Sequence, residues 1–240
     1  MSDPQGLRFG TVAEDYELGR AGWPAEAVEG IEGDVVLDLA AGTGKLTRLL
    51  VERFPRVIAV EPLAGMRAVL ERVVPEAQAL EGTAESIPLD DASVDAAFVA
   101  EAFHWFDAAA AARELARVLR PGGVLRLVFN VWKGPFRPSL GPEARRLLEE
   151  LGPGGGCRVV AGEWKQGFAG LPFAPLDERH IDHEDVADRE RAVAHLVSTS
   201  AAAALSEAER RRLTAALREA IADRTYRVAI DTHLYETHRL

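Results

Sequence analysis

The stretch from Val35 to Leu50 constrains the fold of this chain more than any other. An unbroken apolar run, Val35 to Leu39, enters a small-residue turn with glycines at 42 and 44, and a helix-period pattern leaves it. The run reads as a strand buried on both faces, the usual state of a central parallel strand. Gly42 and Gly44 permit backbone angles and a close ligand approach that a Cβ hinders. The following helix points its unpaired N–H groups back at whatever lies on the turn. The pattern therefore predicts a nucleotide-binding strand–turn–helix. A dinucleotide fingerprint would carry a third glycine where Thr47 stands. A P-loop would carry Ser or Thr after Gly44-Lys45, where Leu46 stands.

Further along the chain the periodicity alternates in the same α/β manner. Val57 to Val60 reads as a second buried strand with Glu61 at its carboxyl end, and Pro62 opens a helix to about Val74. An acid about 20 residues beyond the glycine turn is placed to accept both ribose hydroxyls. Because a strand-end carboxylate facing a cleft carries no core packing, its loss is expected to change stability little. Ala77 to Gly82 and Val94 to Ala100 read as strands three and four, with Asp90 to Ser93 as a polar turn. Asp107 reads as the N-cap of a helix through Leu119. Arg120 to Gly123 reads as a turn, and Val124 to Phe129 as strand five. A sixth strand is predicted around Leu176 to Asp182, then helices over 184–198 and 206–222, the second opened by a Ser206/Glu209 capping box. Tyr226 to Tyr235 alternates apolar and polar residues, as an antiparallel last strand with one exposed face would.

Composition narrows the partners. A net charge of −10 opposes nucleic acid as the main partner, since phosphate binding needs concentrated Lys and Arg. No apolar run approaches the roughly 18 residues of a membrane span. No secretory leader is visible, so a cytoplasmic location is expected. Cys157 is the single cysteine, which rules out an internal disulfide or a cysteine-based metal cluster. His180 and His183 lie three apart in the sixth strand, hence on opposite faces, so no metal is expected. Gly152 to Gly156 reads as a flexible break, and Trp132, Phe136, Trp164, Phe168 and Phe173 as pocket wall and packing.

The run Asp38 to Gly44 closely resembles motif I of the class I S-adenosylmethionine-dependent methyltransferases, and the resemblance extends to the type 11 domain. Phe9, Tyr16, Arg20 and Trp23-Pro24 resemble the leader of small-molecule members, Thr83 to Pro88 their adenine loop, Val94-Asp95 their fourth-strand signature, and Leu119 to Gly123 their Pro-Gly-Gly turn. His104-Trp105 resembles the trans-aconitate type, and Ser198 to Ser200 the Thr-x-Ser segment of family lids. The resemblance implies an α/β, Rossmann-like fold: a seven-stranded, mostly parallel sheet with an antiparallel last strand and a helical lid. It implies one domain over 1–240, with a cover over 1–31, a cofactor core over 32–130 and substrate-side elements over 131–240.

By the same resemblance the cofactor is S-adenosylmethionine, held by Asp38, Ala40, Gly42, Thr43, Gly44, Glu61, Pro62, Met66, Thr83, Ala84, Glu85 and Glu101. Tyr16, Arg20, His104 and Trp105 are then substrate-binding, with His104 the candidate general base. The implied function is methyl transfer to a small molecule, with no nucleic-acid or membrane partner. A nicotinamide-dependent reductase and a non-catalytic nucleotide-binding domain remain as alternatives.

Overall fold

The structure, a computed structural model, describes residues 6–133, 140–151 and 162–240. Phe136, the glycine break at 152–156 and Cys157 lie outside the described residues. Strands β1 (Val35–Leu39), β2 (Arg56–Val60), β3 (Gln78–Leu80), β4 (Val94–Ala100), β5 (Leu119–Trp132), β6 (Asp177–Ala187) and β7 (Tyr226–His238) form one sheet. Its order is β3-β2-β1-β4-β5-β7-β6. The pairs from β3 to β5 are parallel. β7 runs antiparallel to both β5 and β6. The seven-stranded, mostly parallel sheet with an antiparallel last strand is therefore as the sequence predicts. The central strands are buried on both faces, which is why they read as apolar runs: the last four residues of β1 and of β2 are all buried.

Helices α1 (Ala13–Gly19), α2 (Thr47–Arg53), α3 (Ala64–Val73) and α4 (Ala108–Val118) accompany the parallel half. Asp107 caps α4, its side chain accepting from Ala110 N. Leu115, Phe103, Phe129 and Trp164 meet in the main core. Trp164 packs edge-on against Phe103 and Tyr235, and Phe168 stacks on Phe103 at 5.3 Å. Those two aromatics are thus core packing rather than pocket wall. A second core joins α5 (Pro142–Glu150), α6 (Arg189–Val197), α7 (Ser200–Ala203) and α8 (Glu207–Ala220), built on residues such as Leu148, Val193 and Leu217. Ser206 and Glu209 make the predicted capping box of α8.

Two expectations need correction. Arg120 to Gly123 is not a turn before β5. It lies inside that strand, where the register with β4 slips between Val94 and Ala96, and Gly122 absorbs the irregularity at φ +80°. Residues 184–187 are strand, not helix: β6 pairs with β7 over eleven positions to Ala187, and α6 begins only at Arg189. Arg126, 1% exposed on β5, binds the chain together from inside. Its guanidinium donates to Glu236 and to the carbonyls of Ala27 and Glu29, which fixes the segment before β1 against β5 and β7.

Candidate functional site

The site lies at the carboxyl ends of β1, β2, β3 and β4, where open α/β sheets bind ligands. Beyond β1 the backbone turns through positive φ at Ala40 (+57°), Gly42 (+60°) and Gly44 (+88°). Glu101, directly beyond the neighbouring β4, also sits at +53°. A non-glycine residue in this region costs roughly 1–3 kcal/mol, and such residues cluster at ligand sites. Two of the three non-glycine cases among the described residues therefore flank one edge of the sheet.

The turn is braced by acids. Glu61 accepts from Gly42 N through one carboxylate oxygen and from Leu63 N through the other, each at 2.9 Å. It is only 3% exposed, so the expectation of a cleft-facing carboxylate without packing is corrected: the carboxylate ties the β1 turn to the start of α3. Burial raises its pKa against those two hydrogen bonds. Asp38 is fully buried beneath the turn, and its Oδ2 accepts from Thr47 Oγ1 at 2.6 Å. This explains Thr47 at the third position of the glycine pattern: the hydroxyl serves the acid. Burial, with Glu61 adding to it, pushes the Asp38 carboxyl up to about 7 against that hydrogen bond.

Asp38 Oδ1 and Thr43 Oγ1 are buried and have no hydrogen-bond partner among the described residues. A Cβ built on Gly42 meets nothing within 4 Å. Gly44 differs, since its Cβ would sit 2.5 Å from Leu70 Cδ1 and 3.0 Å from Val74 Cγ2. Gly42 opens onto space, whereas Gly44 is small so that α3 can pack.

Thr83 pairs with Ser86 in a tight loop, and Ala84 points into the main core. Arg117 on α4 donates to the carbonyls of Ile87 and Leu89, and Glu114 accepts from Ile87 N, so α4 fixes this loop. Glu85 accepts from Asp107 N at 3.2 Å and links the loop to the segment beyond β4. Pro62 occupies the bend before α3. Met66, 3% exposed, packs with Ala13 and Val69 and against Phe9 and Tyr16, beneath the amino-terminal cover.

Glu101 keeps accessible surface yet lies deep within the protein. Its Oε1 accepts from Asn130 N at 2.6 Å, and burial pushes its carboxyl up to about 7, opposed by that bond and by Arg20. Tyr16 lies within reach of the charges of Arg20, Glu101 and Glu61, and the Arg20 guanidinium sits 5.1 Å from its ring centre. Arg20 Nε donates to Ser198 Oγ at 3.3 Å, and its terminal nitrogen donates to Ser198 O at 2.9 Å. Phe9 reaches Trp105 edge-on at 6.4 Å, and His104 sits 4.8 Å from Trp105 and 5.9 Å from Phe129. The fold thus brings the cover, the β4 loop and the α6 end to one place.

Three residues were not found from sequence. Asn130 joins Glu101 to Thr232 on β7, His195 on α6 lies 4.7 Å from the Trp132 ring, and Gly19 packs on the His195 backbone. Burial, with Arg20 and Arg191 nearby, lowers the His195 pKa to about 3, so the ring is neutral. The Asn130–Glu101 contact spans 29 positions and the Asn130–Thr232 contact 102, and no local pattern marks them. The hydroxyls of Ser198 and Thr199 are used within the lid: Ser198 donates to His195 O, and Thr199 caps α7.

The sheet order and the glycine turn define the class of protein: residues 37–127 match the family described as a methyltransferase domain, and this part of the chain is a class I methyltransferase domain. An uncharacterized methyltransferase of Mycobacterium tuberculosis is 54% identical over 127 residues, 52% of this chain and 52% of that protein. A malonyl-acyl carrier protein O-methyltransferase of Methylococcus capsulatus is 37% identical over 142 residues, 53% of this chain and 50% of that protein. The chain therefore spans about half the length of the curated relatives it matches. A solved structure of a candidate type II methyltransferase from Anaeromyxobacter dehalogenans superposes over 97% of this chain and 95% of its own, with a TM-score of 0.52 and 26% identity.

Proposed function

We propose that the chain transfers a methyl group from S-adenosylmethionine to a small-molecule acceptor. The observation that carries this reading is the pair of unpartnered buried oxygens, Asp38 Oδ1 and Thr43 Oγ1, beside the open space over Gly42. They suit a ligand that brings its own donors and positive charge to the turn. Glu61, Asp38 and Glu101 supply carboxyls around it, and Met66 and the Thr83–Glu85 loop shape its surroundings. When bound, the cofactor supplies an already activated methyl electrophile. The protein's own task is then to align the acceptor and exclude water. The Phe9, Tyr16 and Trp105 rings serve the second task, and Arg20, held by Ser198, serves the first.

A reductase reading has less support. The third glycine is replaced by Thr47, which is engaged with Asp38, and β7 is inserted antiparallel between β5 and β6. His104 fits pocket lining better than proton transfer, because the described rings about it are Trp105 and Phe129. His104→Asn should then raise the acceptor's KM and hold turnover within about tenfold. Calorimetry with S-adenosylmethionine and NADH, followed by labelled methyl transfer to a metabolite panel, tests the whole reading. Binding of NADH alone, or cofactor binding without transfer to any acceptor, would overturn it.

A further inference from the structure

We propose that the β6–β7 edge of the sheet is a site for a divalent transition metal of the zinc class, held by Glu178, His180 and His233 and supported by Asp231. It stands apart from the glycine-turn site and does not depend on the methyl-transfer reading. His180 faces His233 across the ladder, Glu178 faces Tyr235, and Asp182 faces Asp231. With a two-residue period these side chains share one face. His183, the partner considered from sequence, is on the other face, bonded to Thr232 Oγ1 at 2.9 Å.

Glu178 Oε1 lies 3.3 Å from His180 Nε2 and 3.9 Å from His233 Nδ1. One ligand atom from each of the three residues falls within 4.8 Å of the others. Tetrahedral zinc with bonds of about 2.0–2.2 Å separates its ligands by roughly 3.4 Å, so small side-chain rotations close the set. Behind the rings, Asp231 Oδ2 is 3.1 Å from His180 Nδ1 and 3.3 Å from His233 Nε2. A carboxylate on the far ring nitrogen is the arrangement that fixes the tautomer of a metal-bound histidine. Tyr235 OH, 2.7 Å from Glu178 Oε1 and 3.5 Å from His233 Nδ1, borders the fourth position.

With both rings neutral, a metal completes what a plain hydrogen-bond network leaves unmatched. Four ring nitrogens face two carboxylate oxygens, but two neutral imidazoles supply only two N–H donors. A metal on the Glu178 side uses the two lone pairs that otherwise point at a carboxylate. Lys165 contacts Glu178 Oε2, and Lys133 contacts Asp182 and Asp231, so two lysines face three carboxylates and negative charge is left over.

The test is calorimetric titration of the full chain with Zn²⁺ alone, and with Co²⁺ for its visible bands, in chelator-free buffer. One equivalent should bind at about 10 µM or tighter, with the Co²⁺ spectrum of tetrahedral coordination. His180→Gln with His233→Gln should abolish this, Asp231→Asn should weaken it by roughly 10–100-fold, and His183→Gln should leave it unchanged. Glu178→Gln alters an exposed side chain and gives an independent arm, with an expected loss of about tenfold or more. Binding weaker than about 100 µM, or undiminished binding in a folded double variant or in Glu178→Gln, overturns the assignment.

Discussion

Gly42 and Gly44 share a residue type but serve different needs, and the difference can be measured. A side chain at 42 enters open space above the turn, whereas one at 44 strikes Leu70 and Val74. Gly42→Val should fold with a modest stability loss of about 1–2 kcal/mol from its left-handed backbone and bind no S-adenosylmethionine. Gly44→Val should lose a further 1–3 kcal/mol or about that from overpacking. Melting curves and calorimetry on both variants check this, and micromolar binding by Gly42→Val would sink the turn's assignment. Glu61→Gln replaces an oxygen facing a backbone N–H with an NH₂ group, leaving two donors opposed. It should destabilise the free protein by roughly 1–3 kcal/mol as well as weaken cofactor binding, and an unchanged melt would show the brace to be idle. Asp38, Gly42 and Glu61 were legible because they belong to a local strand–turn pattern. Asn130, His195 and the Arg20–Ser198 contact were not, because chain reversals bring them together from up to 178 positions apart.

Among the elements, those fixed by local chemistry were readable. β4 has the predicted bounds, and α4 and α8 start at the predicted caps. β6 was only half readable, because Asp177 to Ala187 is charged on both faces and is strand only through its ladder with β7. An edge strand of that composition carries no apolar alternation to read. The docking of α1 on α6 was also invisible, yet it is among the tightest contacts in the fold. A Cβ on Gly19 would lie 2.1 Å from His195 N and 2.4 Å from Ala194 C, both backbone atoms that cannot rotate away. Gly19→Ala should therefore lift the cover from α6 and separate Arg20 from Ser198. A stability loss of about 1–3 kcal/mol is expected, with faster proteolytic cleavage before β1 and weaker cofactor binding. Unchanged protease resistance together with unchanged affinity would remove the cover from any closing role.

For the whole molecule, the buried acids at the sheet edge couple charge, stability and binding. Burial lifts both Asp38 and Glu101 to about 7, so in the free protein each keeps its proton well above its unfolded value. Between the unfolded and folded values the native state binds more protons than the unfolded chain. Their stabilising contribution is thus complete at low pH and is lost as pH rises through about 7. His195 acts in the opposite sense. Its folded value of about 3 makes stability rise with pH until the unfolded ring, with its ordinary value of 6.5, has lost its proton, and His183, lowered by burial, has the same sign. His180, raised by Asp231, has the sign of the acids. From pH 6.5 to 7.5 the acids and His180 are left to dominate, and the melting temperature of the free protein should fall across that interval. The fall should be smaller in Glu101→Gln, which isolates the acid from His180. A cationic cofactor reverses the preference of these carboxyls, because its charge favours their ionised forms. S-adenosylmethionine should therefore release protons on binding near pH 6.5, progressively fewer toward pH 8, and stabilise the protein most where the free form is weakest. Calorimetry in two buffers of different ionisation enthalpy measures that release directly. Buffer-independent heats at pH 6.5 would mean that the acids are already ionised in the free protein, and the link between cofactor charge and stability would fall.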